Sequence, residues 1–365
     1  MFGPKHYVPI LKWKRAEQTA LDRLSGENKR RITPLIQFVM PKPKTPGGPE
    51  EQFEEVVSQF REKIPQLSQQ ILKSWGLLPI FVDFSLLYTP PLKIECLKNI
   101  MARGHAIGIR VIPVLNLSDA AEFKNAIRSS SKQYGSGFCL RLVPHDLADT
   151  TSLNKEVKNL LNWAGLTEAS VDLLVDAKEI DENSAYLTFV TASQRIYNLM
   201  KWRTFIFASG AFPADLSKCH IDEENLIPRL DWKNWLDQIR TKSFLRKPTF
   251  ADYTIQHPIY LESYQFFHPT TSIRYTLDDA WLIMKGKKQR FELYLVNAKL
   301  LVDDVDRFYG GGFSFGDKYI AEKAKHYSVY IKNPKLKGTG STEGWLTAGI
   351  NHHLVLTAHQ IANLP

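Results

Sequence analysis

Eight short apolar runs recur along this 365-residue chain, and they constrain its fold more than any other feature. Segments with the three- and four-residue apolar spacing of amphipathic helices separate most of them. Runs that are apolar throughout, rather than at alternate positions, are typical of strands covered on both faces of a sheet. The runs lie at 7–13, 32–38, 78–84, 110–117, 137–143, 171–177, 203–209 and 249–255.

The spacing of these runs predicts the class of fold. Their centres lie roughly 25 to 50 residues apart, which is the length of a strand followed by a helix that returns to start a parallel strand. Eight such units predict an α/β fold, a (β/α)8 barrel of the TIM type. A doubly wound open sheet is the main alternative. That fold normally uses fewer strands, and no GxGxxG motif follows the first run here.

The helical segments show apolar stripes of helical period. The longest covers 49–76, and Pro65 within it predicts a kink or a break because proline cannot donate the helical hydrogen bond. The other predicted helices lie at about 92–103, 119–130, 152–163, 184–200 and 229–240.

The chain after the eighth run is too long for one closing helix. We expect residues 1–255 to form the barrel, residues 256–340 an insertion that caps the C-terminal ends of its strands, and residues 341–365 the closing helix. All three would belong to one structural domain. The insertion is predicted to hold a hairpin at 272–290, a helix near 291–303 and a glycine-rich loop at 309–317.

Charge and cysteine usage limit the class of partner and the compartment. A formal net charge of +9 favours an anionic ligand such as a nucleotide, a phosphate ester or nucleic acid. The cysteines Cys96, Cys139 and Cys219 are far apart, which predicts no zinc site and a reducing compartment. With no secretory leader and no membrane-spanning run in the sequence, we expect a cytoplasmic protein without membrane contact.

The candidate site comes from the strand ends, because chemistry in a (β/α)8 barrel lies at their C-terminal side. Alternation along each strand selects its last inward position. Polar side chains at strand ends can also mark merely where the chain leaves the core, so the prediction depends on the set and not on one member. The selected positions are Lys12, Gln37, Asp83, Asn116, Arg141, Asp176, Ser209 and Asp252.

Arg141 is the most demanding member of this set, because the residues around it in the fifth run are apolar. A guanidinium keeps its charge, so its burial requires a carboxylate partner. We therefore expect Arg141 to point into the barrel mouth and to pair with Asp83, Asp176 or Asp252. These four residues and Lys12 are the candidate catalytic residues.

Further candidates lie in the insertion and the last helix. Glycines before a helix can cradle a phosphate, which draws attention to the loop that holds Ser314 and Asp317, although it lacks the Lys-Ser/Thr ending of a P-loop. His352 and His353 lie about 100° apart on a helix, so both cannot face one metal. The predicted ligand-binding residues are Asn116, Arg274, Ser314, Asp317 and His352, and the predicted nucleic-acid patch is Lys285, Lys287, Lys288 and Arg290.

Three segments carry a resemblance to a known family: the opening YVPILKWKRAEQTAL, the glycine-rich FSFGDKYI and the closing GWLTAGINHHL. With these the chain resembles the "beta protein" family of phage and bacterial proteins. The resemblance implies a role in phage–host conflict and a protein partner from a neighbouring defence gene. It supplies no established catalytic residues. Strand two of that family commonly ends in an acid, whereas Gln37 stands here.

Two classes of function remain open. As an enzyme of hydrolase type, the barrel would hold a phosphate-bearing ligand between Lys12, Arg141 and Arg274, and an aspartate would serve as general base or as ligand of a divalent metal. The Asp176-x-Lys178 pair also resembles half of a metal-dependent nuclease motif. As a binding module, the chain would recognise nucleic acid or a partner protein in a defence system without catalysis. The sequence indicates no specific cofactor.

Overall fold

The computed structural model is a closed barrel of eight parallel strands. It describes residues 2–44, 48–181, 183–241, 244–260, 270–335 and 338–364, with the side chains of 183–185 left out. Each of the eight predicted runs overlaps one barrel strand, so the barrel is confirmed and the open sheet is excluded. The barrel strands in order are β1 (Tyr7–Lys12), β2 (Leu35–Gln37), β3 (Ile80–Asp83), β4 (Val111–Asn116), β5 (Phe138–Leu142), β6 (Val171–Glu179), β7 (Thr204–Gly210) and β9 (Thr249–Asp252).

Helices surround the barrel and continue into the insertion. Pro65 lies in a 3-10 turn (Ile64–Gln66) that divides the longest predicted helix into two, as expected of a proline inside a helical pattern. The helices are α1 (Arg15–Asp22), α2 (Gly26–Arg30), α3 (Pro49–Lys63), α4 (Leu67–Ser74), α5 (Pro90–Ala106), α6 (Ala121–Tyr134), α7 (Thr150–Ala164), α8 (Asn183–Ser193), α9 (Leu230–Thr241), α10 (Leu293–Asp303), α11 (Phe315–Lys332) and α12 (Thr342–Ala362).

Alternation along the strands divides the barrel core into two parts. Inward residues form a separate apolar cluster that includes Val8, Phe81 and Val114, while the residues between them pack outward against the helices. The strand register then places polar residues side by side above this cluster. Lys12 lies beside Gln37, and Gln37 lies beside Asp83. The C-terminal mouth therefore begins as a ring of neighbouring polar side chains.

The insertion is built on a three-stranded antiparallel sheet. Its hairpin consists of β10 (Thr270–Thr276) and β11 (Ala280–Lys288), as predicted. The third strand, β8 (Glu224–Pro228), pairs with β11 and comes from the connection between β7 and α9. No apolar run predicted β8, because its residues alternate between exposed and half-buried positions. The sheet thus draws on chain outside the predicted 256–340 segment.

Helix α12 joins the barrel to the insertion. Asn351 donates from Nδ2 to the backbone oxygen of Ala20 in α1 at 2.9 Å, and its Oδ1 accepts the backbone N–H of Gly316 in α11 at 3.1 Å. Most residues of α12 are buried, since barrel and insertion cover opposite faces of the helix. Within the described ranges, no helix is long and apolar enough to cross a membrane.

Candidate functional site at the barrel mouth

Arg141 lies in the barrel mouth between two carboxylates. Its Nη1 donates to Asp83 Oδ2 at 2.5 Å, and its Nε and Nη2 donate to Asp176 Oδ2 at 2.8 and 2.5 Å. The side chain is 1% exposed. The predicted pairing with acids of other strand ends is therefore confirmed for Asp83 and Asp176. Three donors of one guanidinium are used to hold three strands together at their ends.

Both carboxylates are also bonded by other groups. Asp83 accepts hydrogen bonds from Gln37 Nε2 at 2.8 Å and from the Ser85 hydroxyl at 2.9 Å. Asp176 accepts the hydroxyl of Tyr253 at 2.6 Å, and Tyr253 in turn accepts from Arg141 Nη2 at 2.9 Å. With their acceptor sites occupied, the two aspartates have little capacity left for a metal ion or a substrate proton.

The electrostatics of the cluster point the same way. Burial alone would raise the pKa of the Asp176 carboxyl, but the adjacent charges of Lys178 and Arg141 outweigh it and hold that pKa below its ordinary value. Burial, with Asp176 beside it, raises the pKa of the Tyr253 hydroxyl well above its ordinary value. Asp176 is thus a weak base and Tyr253 stays protonated. These residues form a charged scaffold.

The end of β6 is distorted beside this scaffold. The register with β7 shifts between Asp176 and Glu179, and Lys178 has a φ of 60°. A non-glycine residue in the left-handed region carries strain, and bulges of this kind re-aim side chains at barrel rims. Here the result is that Lys178 Nζ lies 3.3 Å from Asp176 Oδ2 and 5.9 Å from the centre of the Tyr253 ring.

Lys12 is a second basic group beside Tyr253. Its Nζ donates to the backbone oxygen of His257 at 2.8 Å and lies 5.3 Å from the centre of the Tyr253 ring. The residue is 2% exposed. No carboxylate of the described residues lies within ion-pair distance of this nitrogen. Burial lowers the pKa of Lys12 to about 7, with Lys14, Lys178 and Arg141 contributing to the decrease and Glu17 opposing it.

A cavity of about 280 Å³ opens beside Lys12, between the barrel mouth and the insertion. Arg274 of β10 lies in its wall, where Nη1 donates to Ile255 O at 3.0 Å and the guanidinium lies 5.1 Å from the centre of the Phe212 ring. We call this space the mouth cavity. It is lined by Lys12, Lys14, Glu17, Phe212, Pro213, Ala214, Asp215, Leu216, Gln256, His257, Ile259, Tyr260, Arg274 and Leu346.

The prediction that Asp252 and Ser209 point into the barrel was wrong. Val8 and Ala208 point inward and both pair with Ala251, so the next inward residue is Tyr253, directly after β9. Asp252 and Ser209 lie one position away from an inward residue and therefore face outward.

The outward position of Asp252 gives it a structural environment. Its carboxylate accepts the hydroxyl of Tyr7 at 2.5 Å and lies 2.9 Å from Nε2 of His353 in α12. The side chain is completely buried between the barrel wall and that helix. The carboxylate therefore has no contact with the mouth or with Arg141, and a catalytic role at the mouth is excluded.

Of the other predicted ligand-binding residues, Arg274 lines the mouth cavity, whereas Ser314, Asp317 and His352 do not. His352 Nδ1 lies 2.8 Å from Asp317 Oδ2, and the Tyr275 hydroxyl donates to the other oxygen at 2.6 Å. Ser314 is the N-cap of α11 and also donates to Asp317. His352 and Asp317 are completely buried, so this network fixes α11 to α12 and is closed to a ligand.

Asn116 ends β4 on the rim of the barrel. Its side chain donates to Asp119 at 3.2 Å, and Asp119 also accepts the backbone N–H of Asn116 at 2.8 Å. Lys93 lies 3.5 Å from the same carboxylate. Asn116 therefore stabilises the turn into α6 and does not line the mouth cavity, although the strand register places it beside Arg141.

The predicted nucleic-acid patch is not a uniform cationic surface. Lys285 points back to the β7–β8 connection, where its Nζ donates to Leu216 O at 2.7 Å and to Cys219 O at 3.0 Å. Lys287 lies 3.7 Å from Asp222. The side chain of Arg290 is bonded to Glu292, and Lys288 is exposed. Within the predicted patch, Lys288 is the one member whose side chain has neither an acid nor a backbone oxygen as a partner among the described residues.

Glu17, Tyr253 and His257 are site residues that sequence reasoning missed. For Tyr253 a signal exists in the chain: Thr249, Ala251 and Tyr253 follow one another at steps of two, and the small Ala251 suits the crowded interior of a barrel. Glu17 gave no signal, because a single acid in an amphipathic helix normally faces water. Among the described residues, no group of three His, Cys, Asp or Glu side chains is arranged to hold a metal ion.

An α/β barrel with a basic, partly enclosed C-terminal mouth is the class that this fold and site define. The chain belongs to the Beta protein family, whose sequence model matches residues 7–359. No curated protein matches the chain.

Solved barrel structures are similar at low identity. A mutant tryptophan synthase alpha-subunit from Pyrococcus furiosus is 13% identical, with a TM-score of 0.41 over 69% of this chain and 89% of that one. Tryptophan synthase from M. tuberculosis is 8% identical, with a TM-score of 0.34 over 68% of this chain and 82% of that one. The spore cortex-lytic enzyme SleL of Bacillus megaterium is 9% identical, with a TM-score of 0.29 over 82% and 68%.

Proposed function

We propose that this protein binds a small phosphate-bearing anion in the mouth cavity. The observation that carries the proposal is Lys12, a nearly buried amine that lines the cavity without a carboxylate partner among the described residues. A buried charge without a counterion is costly, and that cost is what lowers the pKa of Lys12. A bound anion would supply the missing counterion. Arg274 and Lys14 line the same space and add positive potential.

The Arg141 cluster supports this function indirectly. Its carboxylates are already bonded, so we assign them to the shape of the mouth and not to general-base or metal chemistry. Tyr253 connects this cluster to Lys12, because its hydroxyl is bonded to Asp176 and Arg141 while its ring lies beside Lys12. The hydrolase role expected from the sequence would need a base outside this pair.

A small ligand fits the site better than a polymer. The cavity volume of about 280 Å³ is at the low end for small-molecule sites. The predicted nucleic-acid patch loses Lys285 to backbone contacts, and acids lie beside two of its other members. We therefore place the anion in the mouth, and recognition of nucleic acid or of a defence partner is not the function that this geometry favours.

The test is a ligand-dependent thermal shift. Orthophosphate and simple phosphate monoesters should raise the melting temperature, because a ligand that binds only the folded state at about 100 times its Kd adds about 2.7 kcal/mol. The shift should decrease at high salt, and Lys12→Met and Arg274→Met should lose it. Lys288→Met is the matched control and should keep it. No shift with any phosphate compound, or an unchanged shift in both mouth variants, would contradict the proposal.

A further inference from the structure

We propose that Lys12 is a nucleophile that forms an imine with an aldehyde or ketone bound in the mouth cavity, and that Glu17 is the carboxyl group that transfers the proton. The inference rests on the proposed anion site, since it deepens the ligand class to a carbonyl compound that bears a phosphate. Two independent features carry it: the amine of Lys12 in the cavity wall, and an unpaired carboxyl oxygen in the same wall.

Glu17 is the less expected of the two. It lies in the first helix after β1 and is completely buried, yet it lines the cavity. Its Oε1 accepts a hydrogen bond from Gln256 Nε2 at 2.6 Å, whereas its Oε2 has no hydrogen-bond partner among the described residues. Buried carboxyl oxygens are almost always paired. A carboxyl oxygen without a partner beside a cavity is suited to exchange a proton with a ligand there.

Lys12 has the properties that imine chemistry requires. An amine attacks a carbonyl only when it is unprotonated, and burial lowers the pKa of Lys12 to about 7, so a large fraction is neutral near that pH. Burial also raises the pKa of Glu17, which keeps its proton available at higher pH than an exposed glutamate would. Arg274 and Lys14 remain to hold the anionic end of the ligand.

The reaction balances without an oxidant or a reductant. The lone pair of Lys12 Nζ bonds to the carbonyl carbon, and the carbonyl oxygen takes up a proton as the nitrogen loses one, which gives a carbinolamine. The carboxyl of Glu17 then protonates the hydroxyl group, which leaves as water while the nitrogen lone pair forms the C=N bond. The remaining proton on the nitrogen returns to the Glu17 carboxylate. The net change is amine plus carbonyl to imine plus water.

The experiment traps the imine in the full-length protein. Glycolaldehyde phosphate is added with sodium cyanoborohydride, whose hydride reduces C=N to a stable secondary amine, and peptide mass mapping locates the adducts. We expect Lys12 to be modified at least about tenfold faster than any other lysine, because general acid catalysis at a positioned site contributes factors of this size or more. Ethylene glycol monophosphate, which lacks the carbonyl, should protect Lys12. Glycolaldehyde, which lacks the phosphate, should react more slowly there.

Two variants separate the roles. Glu17→Gln keeps an acceptor for Gln256 and should slow modification of Lys12 by about tenfold or more, with loss of the pH dependence that the carboxyl gives to the rate. Lys288→Met is the matched control, since Lys288 is exposed and lies outside the cavity, and the rate of modification of Lys12 should not change in it. Equal rates of modification of Lys12 and of surface lysines would overturn the inference. An unchanged rate at Lys12 in Glu17→Gln would show that Glu17 does not transfer the proton.

The outcomes also separate this inference from the proposed anion site. A thermal shift with ethylene glycol monophosphate but no adduct on Lys12 would disprove the imine and leave the anion site standing. An adduct on Lys12 that the phosphate neither accelerates nor protects would disprove the anion site and leave the nucleophile standing. Absence of both would disprove both.

Discussion

Arg141 and Lys12 are two buried cations of one barrel mouth, and their surroundings give them opposite properties. Arg141 donates to two carboxylates, and those charges together with Tyr253 outweigh burial and raise its pKa well above the ordinary value. Lys12 has a backbone carbonyl as its partner, and burial lowers its pKa to about 7. The first residue therefore serves the fold and the second is available to a ligand.

Replacing Arg141 should destabilise the protein strongly. Arg141→Met leaves Asp83 and Asp176 buried without their shared counterion, and breaking a buried pair from one side costs about 3–5 kcal/mol. Urea unfolding at pH 7 measures this loss. Arg15→Met, at an exposed position, is the control and should change stability little. An Arg141→Met protein within about 1 kcal/mol of the wild type would show that the cluster contributes less than its geometry indicates.

Replacing Lys12 should stabilise the protein in a pH-dependent way. The pKa of Lys12 is below its ordinary value of 10.5 in the folded state, so the unfolded chain binds more protons and stability rises with pH between about 7 and 10.5. Lys12→Met removes that dependence. The variant should be more stable than the wild type at pH 7, and the difference should narrow by about 2 kcal/mol at pH 9. Urea unfolding at both pH values tests it, and a constant difference would mean that Lys12 titrates normally.

At the scale of single strands, the sequence correctly predicted which face of the strand most mouth residues occupy, but not for Ser209 and Asp252. In β5, Cys139 and Arg141 share the inward face. That face could be predicted because a buried arginine requires polar partners, and the polar strand ends at the barrel mouth provide them. In β9 the residues on both faces are buried, so the sequence of this strand alone does not show which of its alternate residues face inward. The inward choice of Tyr253 over Asp252 is set by pairing with β1 and β7, which are distant in sequence.

The strands of the insertion were harder to predict than those of the barrel. A barrel strand is buried on both faces and forms a continuous apolar run, whereas β8 has one half-buried face and ends in Pro228. Such a strand carries little local signal and forms because the edge of the hairpin offers unpaired backbone groups. The unpaired oxygen of Glu17 could not be predicted for a similar reason, since its surroundings come from the segment after β9, from α12 and from the insertion, which are distant in sequence.

The close approach of α11 to α12 provides a test at the scale of packed elements. A Cβ added at Gly316 would lie 2.1 Å from the backbone oxygen of Ala348, so the two helices would have to separate. Gly316→Ala should cost about 1–3 kcal/mol, as overpacking of a rigid contact does. Gly312→Ala, in the loop that precedes α11, places its Cβ within 4 Å of no atom and is the matched control. Equal stability of the two variants by urea unfolding would contradict this packing.

At the scale of the whole molecule, α12 makes the barrel and the insertion depend on each other. His353 contacts Asp252 of the barrel at 2.9 Å and the Thr276 hydroxyl of the insertion at 3.0 Å. Arg274 of the insertion forms part of the mouth cavity, whose other wall begins at Lys12 of β1. The proposed site therefore exists only when both parts are folded and docked.

This dependence predicts one cooperative unfolding transition for the whole chain. In a calorimetric scan the van't Hoff and calorimetric enthalpies should agree, and circular dichroism and tryptophan fluorescence should report the same midpoint. Asn351→Ala should lower that midpoint without splitting it, because loss of the side chain leaves Ala20 O and Gly316 N unpaired on the two sides of α12 at a cost of about 1–3 kcal/mol each. Two separate transitions, or a variant in which only one spectroscopic signal shifts, would mean that the insertion is an independent folding unit. In that case the mouth cavity would be a boundary between two units, and phosphate binding should stabilise their contact more than either part alone.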